Sequence, residues 1–318
     1  MKTLLILILI VLLVGVIRRV LANRVWPAQP GEDFDGTMLQ LGDNLVCLPD
    51  RSHLPAELVG RTTLICFPGF LEDARFFLEV HRDVPARLIL IGNANYQNPF
   101  RSTSISTPSW FVANPHPLGT IAHDAYCVNQ VIEHMTGPER VVLHGHSRGG
   151  GVLLEAGNQR PEQTSQVEAI LEAAVVPQGR LYDNGEKKLQ PVGFYLFPFI
   201  FSLMRMLPES SRLKSPMMWV TNATKNRIVA TIPFTPKQYA TAEINSANII
   251  EWQAQAGFES YDHFKRVTLY VGERDSVLCR TAMLASAAQS SAVTVVETAG
   301  TDHFISLESP DIIRDYFT

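Results

Sequence analysis

Arg140-Val141-Val142-Leu143-His144-Gly145-His146-Ser147-Arg148-Gly149-Gly150-Gly151 is the stretch whose reading decides the fold. Its first half is a β-branched and apolar run, Val141–His144, which reads as a buried strand. Its second half opens a small-residue segment, Gly149–Gly157, which reads as a helix. Between them stands G-x-S-x-G. A strand that reverses directly into a helix strains the residue at the tip and exposes its side chain, here Ser147. Side chains at Gly145 and Gly149 would collide as the chain doubles back. The motif alone is weak, because a chain with 20 glycines meets it by chance, and a glycine-rich turn or anion-binding loop reads the same way. The flanking strand and helix give it weight.

Outward from this turn, strands and helices alternate. Upstream, Thr37–Leu41 and Leu45–Leu48 flank Gly42-Asp43-Asn44 as a hairpin. Thr63–Phe67 and Arg87–Ile91 read as buried strands, Glu72–His81 and Ile121–Met135 as helices, and Asn93–Pro117 as a long polar loop. Downstream, Val267–Val271 and Val293–Val296 read as strands, Ser276–Ala288 and Pro310–Tyr316 as helices, and the apolar run Ala169–Val176 as a fourth buried strand or, by its period alone, a helix. Such alternation implies a mostly parallel sheet covered by helices on both faces. It breaks between Pro177 and about His263, which reads as an inserted helical cap. Within it, Val192–Leu207 is very apolar, with Pro198 and Arg205 as interruptions.

The composition supports a globular body. Of 318 residues, 46% are hydrophobic and 18% charged, enough to bury a full core. A net charge of −4 without a basic face excludes a nucleic-acid binder. Cys47, Cys66, Cys127 and Cys279 form no CxxC pair and no Cys/His cluster of zinc spacing. They read as free thiols, and neither a metal nor a cofactor is expected.

The N-terminus stands apart. Leu4–Ile17 is unbroken apolar sequence, preceded by Lys2 and followed by Arg18, Arg19 and Arg24. If the helix continues to Ala22 with the arginines snorkelling, it spans roughly 28 Å, about one hydrocarbon thickness. Residues 1–24 therefore read as a membrane anchor, or as a secretory signal with Val20 and Ala22 at its cleavage site. Residues 25–318 form the globular domain. Charge is heavier after the run than before it, which places that domain on the cytoplasmic face if the anchor stays. Cleavage would instead give an exported protein.

The motif and its setting resemble the α/β-hydrolase superfamily over about Thr37–Thr318. In that family the catalytic order along the chain is nucleophile, acid, histidine. Ser147, Asp275 in Gly272-Glu273-Arg274-Asp275, and His303 in Gly300-Thr301-Asp302-His303-Phe304 obey it. Each follows a strand, where open α/β sheets place their sites. The chemistry fits these residue types. A serine hydroxyl needs a base to take its proton, His303 can do so, and Asp275 would fix the tautomer and stabilise the imidazolium. Glu273, Asp302 and Asp262 are rival acids. His144 and His146 lie too close along the chain to serve as the base, and the remaining histidines lack comparable context. The resemblance also implies an oxyanion hole from two backbone N–H groups, those of Arg148 and of Phe70 in Phe67-Pro68-Gly69-Phe70. The Arg148 side chain reads as a solvated charge.

The expected function is a serine hydrolase that forms an acyl-enzyme on carboxylic esters or thioesters with an apolar acyl part. Phe197 and Phe201 are candidate walls for that part, while Val192–Leu207 reads equally as ordinary cap core or as an interfacial segment inserted beside a lipid-like ester. Other triad chemistry stays open: carbon–carbon bond hydrolysis, perhydrolysis, acyl transfer or amide cleavage. So does a non-catalytic, membrane-tethered binding module.

Overall fold

A computed structural model of the chain describes residues 2–101, 104–182, 190–208 and 222–317. Its strands are β1 (Glu32–Asp33), β2 (Gly36–Leu41), β3 (Asn44–Pro49), β4 (Thr62–Phe67), β5 (Arg87–Ile91), β6 (Phe100–Arg101), β7 (Ile105–Ser106), β8 (Arg140–His146), β9 (Glu168–Glu172), β10 (Arg266–Gly272) and β11 (Val293–Thr298). The helices are α1 (Lys2–Asn23), α2 (Ala56–Val59), α3 (Arg75–Val80), α4 (Ile121–Met135), α5 (Arg148–Gln159), α6 (Pro161–Thr164), α7 (Gln190–Met206), α8 (Ala223–Val229), α9 (Tyr239–Gln255), α10 (Arg280–Ala287), α11 (Ile305–Glu308) and α12 (Pro310–Arg314).

Among the described residues, nine strands form one sheet in the order β11-β10-β9-β8-β4-β5-β3-β2-β7. The six from β11 to β5 run parallel, and β3 and β2 add an antiparallel hairpin at one side. The period of two along each central strand divides its side chains between two cores. Ile65, Phe67, Leu143, Leu171 and Leu269 face α4 and α5. Leu64, Cys66, Val142, Ile170 and Tyr270 face α3 and the C-terminal helices, with Phe76, Phe77 and Phe304 buried among them. Truncating one such phenylalanine to alanine costs about 3–5 kcal/mol. The four cysteines are buried free thiols.

Several elements are shorter than their patterns predict, and polar side chains are the cause. The helix expected from Glu72 begins at Arg75, because the Glu72 carboxylate takes the Gly69 N–H at 2.8 Å and Asp73 takes the Arg75 N–H at 3.0 Å. The strand expected to reach Val176 ends at Glu172. Ala173 turns to φ 42°, and the Val175 N–H goes to the Ser147 carbonyl at 2.8 Å. The helix expected from Ser276 starts at Arg280, because Asp275 Oδ1 holds the Val277 and Leu278 amides in a turn. The long loop from Asn93 contains β6, which pairs with β1, and β7.

The insertion between β9 and β10 is helical in α7, α8 and α9. Helix α7 runs on through Pro198 instead of breaking there. The end of the insertion is not cap alone, since Ile249 and Trp252 of α9 enter the core beside α5.

Candidate active site

The register of the parallel strands collects the candidates. Phe67 lies opposite Gly145, His146 opposite Glu172, and Gly272 opposite Thr298, so the loops that follow open at one end of the sheet. Ser147 sits between β8 and α5 with φ 51° and ψ −117°, a strained conformation for a residue with a side chain. Its N–H goes to the Glu172 carbonyl at 2.9 Å, and its carbonyl accepts from Gly150 at 3.0 Å and Val175 at 2.8 Å. The glycines are sterically required. A Cβ at Gly145 would stand 2.6 Å from the Gly149 backbone, and one at Gly149 2.0 Å from the Phe67 carbonyl oxygen.

His303 and Asp275 meet. His303 Nδ1 lies 2.9 Å from Asp275 Oδ2, while Asp275 Oδ1 accepts the Val277 and Leu278 N–H groups at 2.8 and 2.9 Å. With Nδ1 donating, Nε2 is left as the basic nitrogen. The rival acids are engaged elsewhere. Glu273 takes the Gly300 N–H at 2.7 Å, and Asp262 the Ser290 hydroxyl at 2.7 Å. Asp302 pairs at 2.6 Å with Lys225 of α8, which also reaches Glu308.

His146 joins the nucleophile turn to the rest. Its Nδ1 lies 2.8 Å from Glu72 Oε2 and its Nε2 2.8 Å from the His303 carbonyl oxygen. Both partners are acceptors, so both ring nitrogens donate and the ring is an imidazolium. Burial alone would favour the neutral ring. The Glu72 and Glu172 carboxylates and the His303 carbonyl outweigh it and push the His146 value up to about 9. The ring stacks between Phe76 and Phe304 and stands 4.9 Å, centroid to centroid, from the His303 ring.

The loop after β4 is held from several sides. Glu72, bound to His146, takes the Gly69 N–H, and Asn93 donates to the Gly69 carbonyl at 2.9 Å. Leu71, at φ 63°, donates to the Tyr96 hydroxyl at 3.4 Å and accepts from Thr235 at 3.0 Å. The amides on either side of Phe70 are thus engaged, whereas the Phe70 N–H has no partner among the described residues. Arg148 N–H is the first of α5, where helical amides have no intrahelical acceptor.

The Arg148 side chain corrects the sequence reading. It is fully buried, donating to Asp124 Oδ2 and Asn93 Oδ1 at 2.7 Å each. A second buried chain runs beneath the turn. Glu172 takes the Ser306 N–H and hydroxyl at 2.7 and 2.8 Å and accepts from His144 at 3.0 Å. His144 in turn accepts from His81 at 2.9 Å, and burial keeps both rings neutral. Above the loop, Phe70 stacks with Phe197 of α7 at 6.1 Å, and Phe197 meets Phe201, and Phe201 meets Tyr239, in tilted ring pairs. The site is nearly closed, with Ser147 6% and His303 3% exposed. Among the described residues no group of His, Cys, Asp or Glu is placed to hold a metal ion.

The sequence profile of the alpha/beta hydrolase family matches residues 64–315, and the chain belongs to that family. Solved structures share the fold at low identity. A carboxylesterase from Bacillus subtilis is 14% identical, covering 92% of this chain and 91% of its own, with a TM-score of 0.55. An esterase from a Rhodococcus species is 16% identical, covering 86% and 92%, with a TM-score of 0.56. N-formylmaleamic acid deformylase from Pseudomonas putida is 12% identical, covering 86% and 95%, also at 0.56. No match to the sequence is found among the curated proteins.

Proposed function

We propose that this protein is a membrane-anchored serine hydrolase that cleaves carboxylic esters, or thioesters, with an apolar acyl part. The observation that carries the reading is the 2.9 Å His303–Asp275 contact, with the His303 carbonyl held by His146, the neighbour in sequence of a serine in a strained strand-to-helix turn. In the proposed cycle, Ser147 Oγ attacks the ester carbon while its proton passes to His303 Nε2. The carbonyl oxygen becomes an oxyanion, stabilised by the Phe70 and Arg148 N–H groups. Collapse breaks the bond to the alkoxy or thiolate group, which leaves with the proton from His303. Water then repeats the sequence on the acyl-Ser147 ester and releases the acid. Asp275 holds the imidazolium throughout.

Phe70, Phe197 and Phe201 supply an apolar roof suited to an acyl chain. Residues 1–24 serve as the anchor and residues 25–318 as the hydrolase domain, on the cytoplasmic face by the charge bias around α1. Helix α1 is long and apolar enough to cross a membrane from Leu5 to Asn23. Labelling with a fluorophosphonate and locating the adduct tests the site. Modification at Ser147, absent from Ser147→Ala, is the expected result. An unmodified Ser147 in folded protein would favour a binding module instead.

A further inference from the structure

Helix α7 carries two unlike faces. Its inward face places Phe197, Phe201 and Met204 against Phe70, Leu71 and Tyr239. Arg205 also turns inward, donating to the Pro233 carbonyl at 3.1 Å and covering the Phe234 ring. Between Tyr195 and Leu207, every exposed residue is apolar: Tyr195, Leu196, Ile200, Leu203, Met206 and Leu207. At 3.6 residues per turn they share an arc of roughly 140°. Leu203 is 60% and Met206 82% exposed, which is the reverse of how a water-facing helix is patterned.

The stripe does not stand alone. Helix α1 packs beside α7 and α9, and Arg18 fastens the junction. It donates to the Tyr195 carbonyl at 2.9 Å, lies over the Tyr195 ring at 4.5 Å, and pairs with Glu243 of α9. Arg18 is therefore engaged by the domain and does not reach freely outward, and its charge is matched where the two apolar surfaces meet. The exposed apolar residues of α1, Leu5–Val14, Val16 and Ile17, end next to Arg18, which holds Tyr195 of the stripe.

We propose that the exposed face of α7 lies in the lipid interface beside the membrane-crossing α1, and that the site beneath it takes its ester directly from the bilayer. The inference rests on the anchor and hydrolase readings above. It gives α7 a definite place, as the partition between lipid and the Phe70 loop. The inner side chain Phe197 stacks on Phe70, while Leu203 and Met206, one to three turns along, meet acyl chains. An ester drawn from lipid would pass this helix to reach Ser147 without crossing water.

The full chain in phosphatidylcholine–phosphatidylglycerol vesicles tests this. Because the native cysteines are buried, Leu203→Cys can be labelled selectively with an environment-sensitive nitrobenzoxadiazole dye. Leu58→Cys, in α2 at the opposite end of the sheet, is the control. The Leu203→Cys label should be blue-shifted and quenched several-fold more by acyl-chain-brominated phosphatidylcholine than the control label. Equal, weak quenching in protein that floats with vesicles would overturn the inference and leave the anchor standing. Protein that does not float would overturn both. Shielding that tracks protein density and not lipid would assign the face to a second copy and overturn the proposal.

Activity gives the second arm. Leu203→Asp with Met206→Asp should lower hydrolysis of a vesicle-embedded ester about tenfold, a change of about 1.4 kcal/mol. Hydrolysis of p-nitrophenyl acetate should stay within about twofold of wild type, because neither residue touches the reacting groups. Equal loss on both substrates would make the stripe a folding element and overturn the proposal. No hydrolysis of either ester by the wild-type chain would end the hydrolase reading, and with it the proposed route for the ester, while the dye alone would still judge where α7 sits.

Discussion

The floor of the site and its roof are built by opposite means. Below and around Ser147, buried polar groups are paired with one another: Glu72 with His146, His146 with the His303 carbonyl, Glu172 with Ser306 and His144, Arg148 with Asp124. Above it stand Phe70, Phe197, Phe201 and Tyr239, joined by ring contacts. Hydrogen bonds are directional and costly to leave unmade in a low dielectric, so the floor fixes atoms to within fractions of an ångström. Apolar contacts are not directional, so the roof constrains what it touches less tightly. The division places fixed geometry in the floor and adaptable packing in the roof.

The largest effect should come from the floor residue nearest the base. Asp275→Asn should lower kcat by about 10⁴-fold with little change in Tm, because it presents the wrong tautomer to His303. Asp302→Asn, one residue from His303, should do the reverse. It loosens Lys225 and lowers stability while kcat stays within about tenfold, a split that steady-state kinetics and thermal melts together would read. Arg148→Met comes next. It leaves Asp124 buried without its cation and should cost about 3–5 kcal/mol in denaturant unfolding.

A smaller effect is expected from His146→Gln, about 100-fold in kcat, because it frees the Phe70 loop from the carbonyl of His303. Here pH sharpens the comparison. The His146 value is raised in the folded chain to about 9, above its ordinary ~6.5. Its contribution to stability is therefore complete below about pH 6.5 and is lost as pH rises through about 9. Wild-type Tm should fall on that alkaline side, and the fall should be absent in His146→Gln. The smallest effect belongs to the roof. Phe197→Ala should shift ester chain-length preference by a few-fold and leave kcat for acetate nearly unchanged. Phe201 is the poorer probe, since it is buried against Tyr239 and its loss would leave a cavity in the cap.

How far each part is legible follows from the same physics. The strands are written in runs such as Thr63–Phe67 and Val141–His144, whose apolar character and flanking glycines are local properties, whereas their order in the sheet is not. The chain order of Ser147, Asp275 and His303 is visible because each follows a strand. The partners of the floor are not local. Glu72 lies 74 residues from His146, and Lys225 lies 77 from Asp302. Spacing cannot join such pairs. A trace existed for Asp124, a charge on the buried stripe of α4 beside Ile121, Ala125 and Val128, and for Glu172 inside an apolar run. A carboxylate in such a place needs a buried partner, and Arg148 and His144 supply them.

Pre-steady-state hydrolysis of p-nitrophenyl butyrate by the full chain, with Ser147→Ala alongside, tests whether Ser147 carries the acyl group. A burst of p-nitrophenol equal to the enzyme concentration is expected, with an acyl mass on the peptide containing Ser147 at early times. Ser147→Ala should give neither burst nor adduct, and turnover lower by about 10⁴-fold or more. Turnover at the wild-type rate in Ser147→Ala, or an acyl group trapped on another residue, would contradict a nucleophilic Ser147.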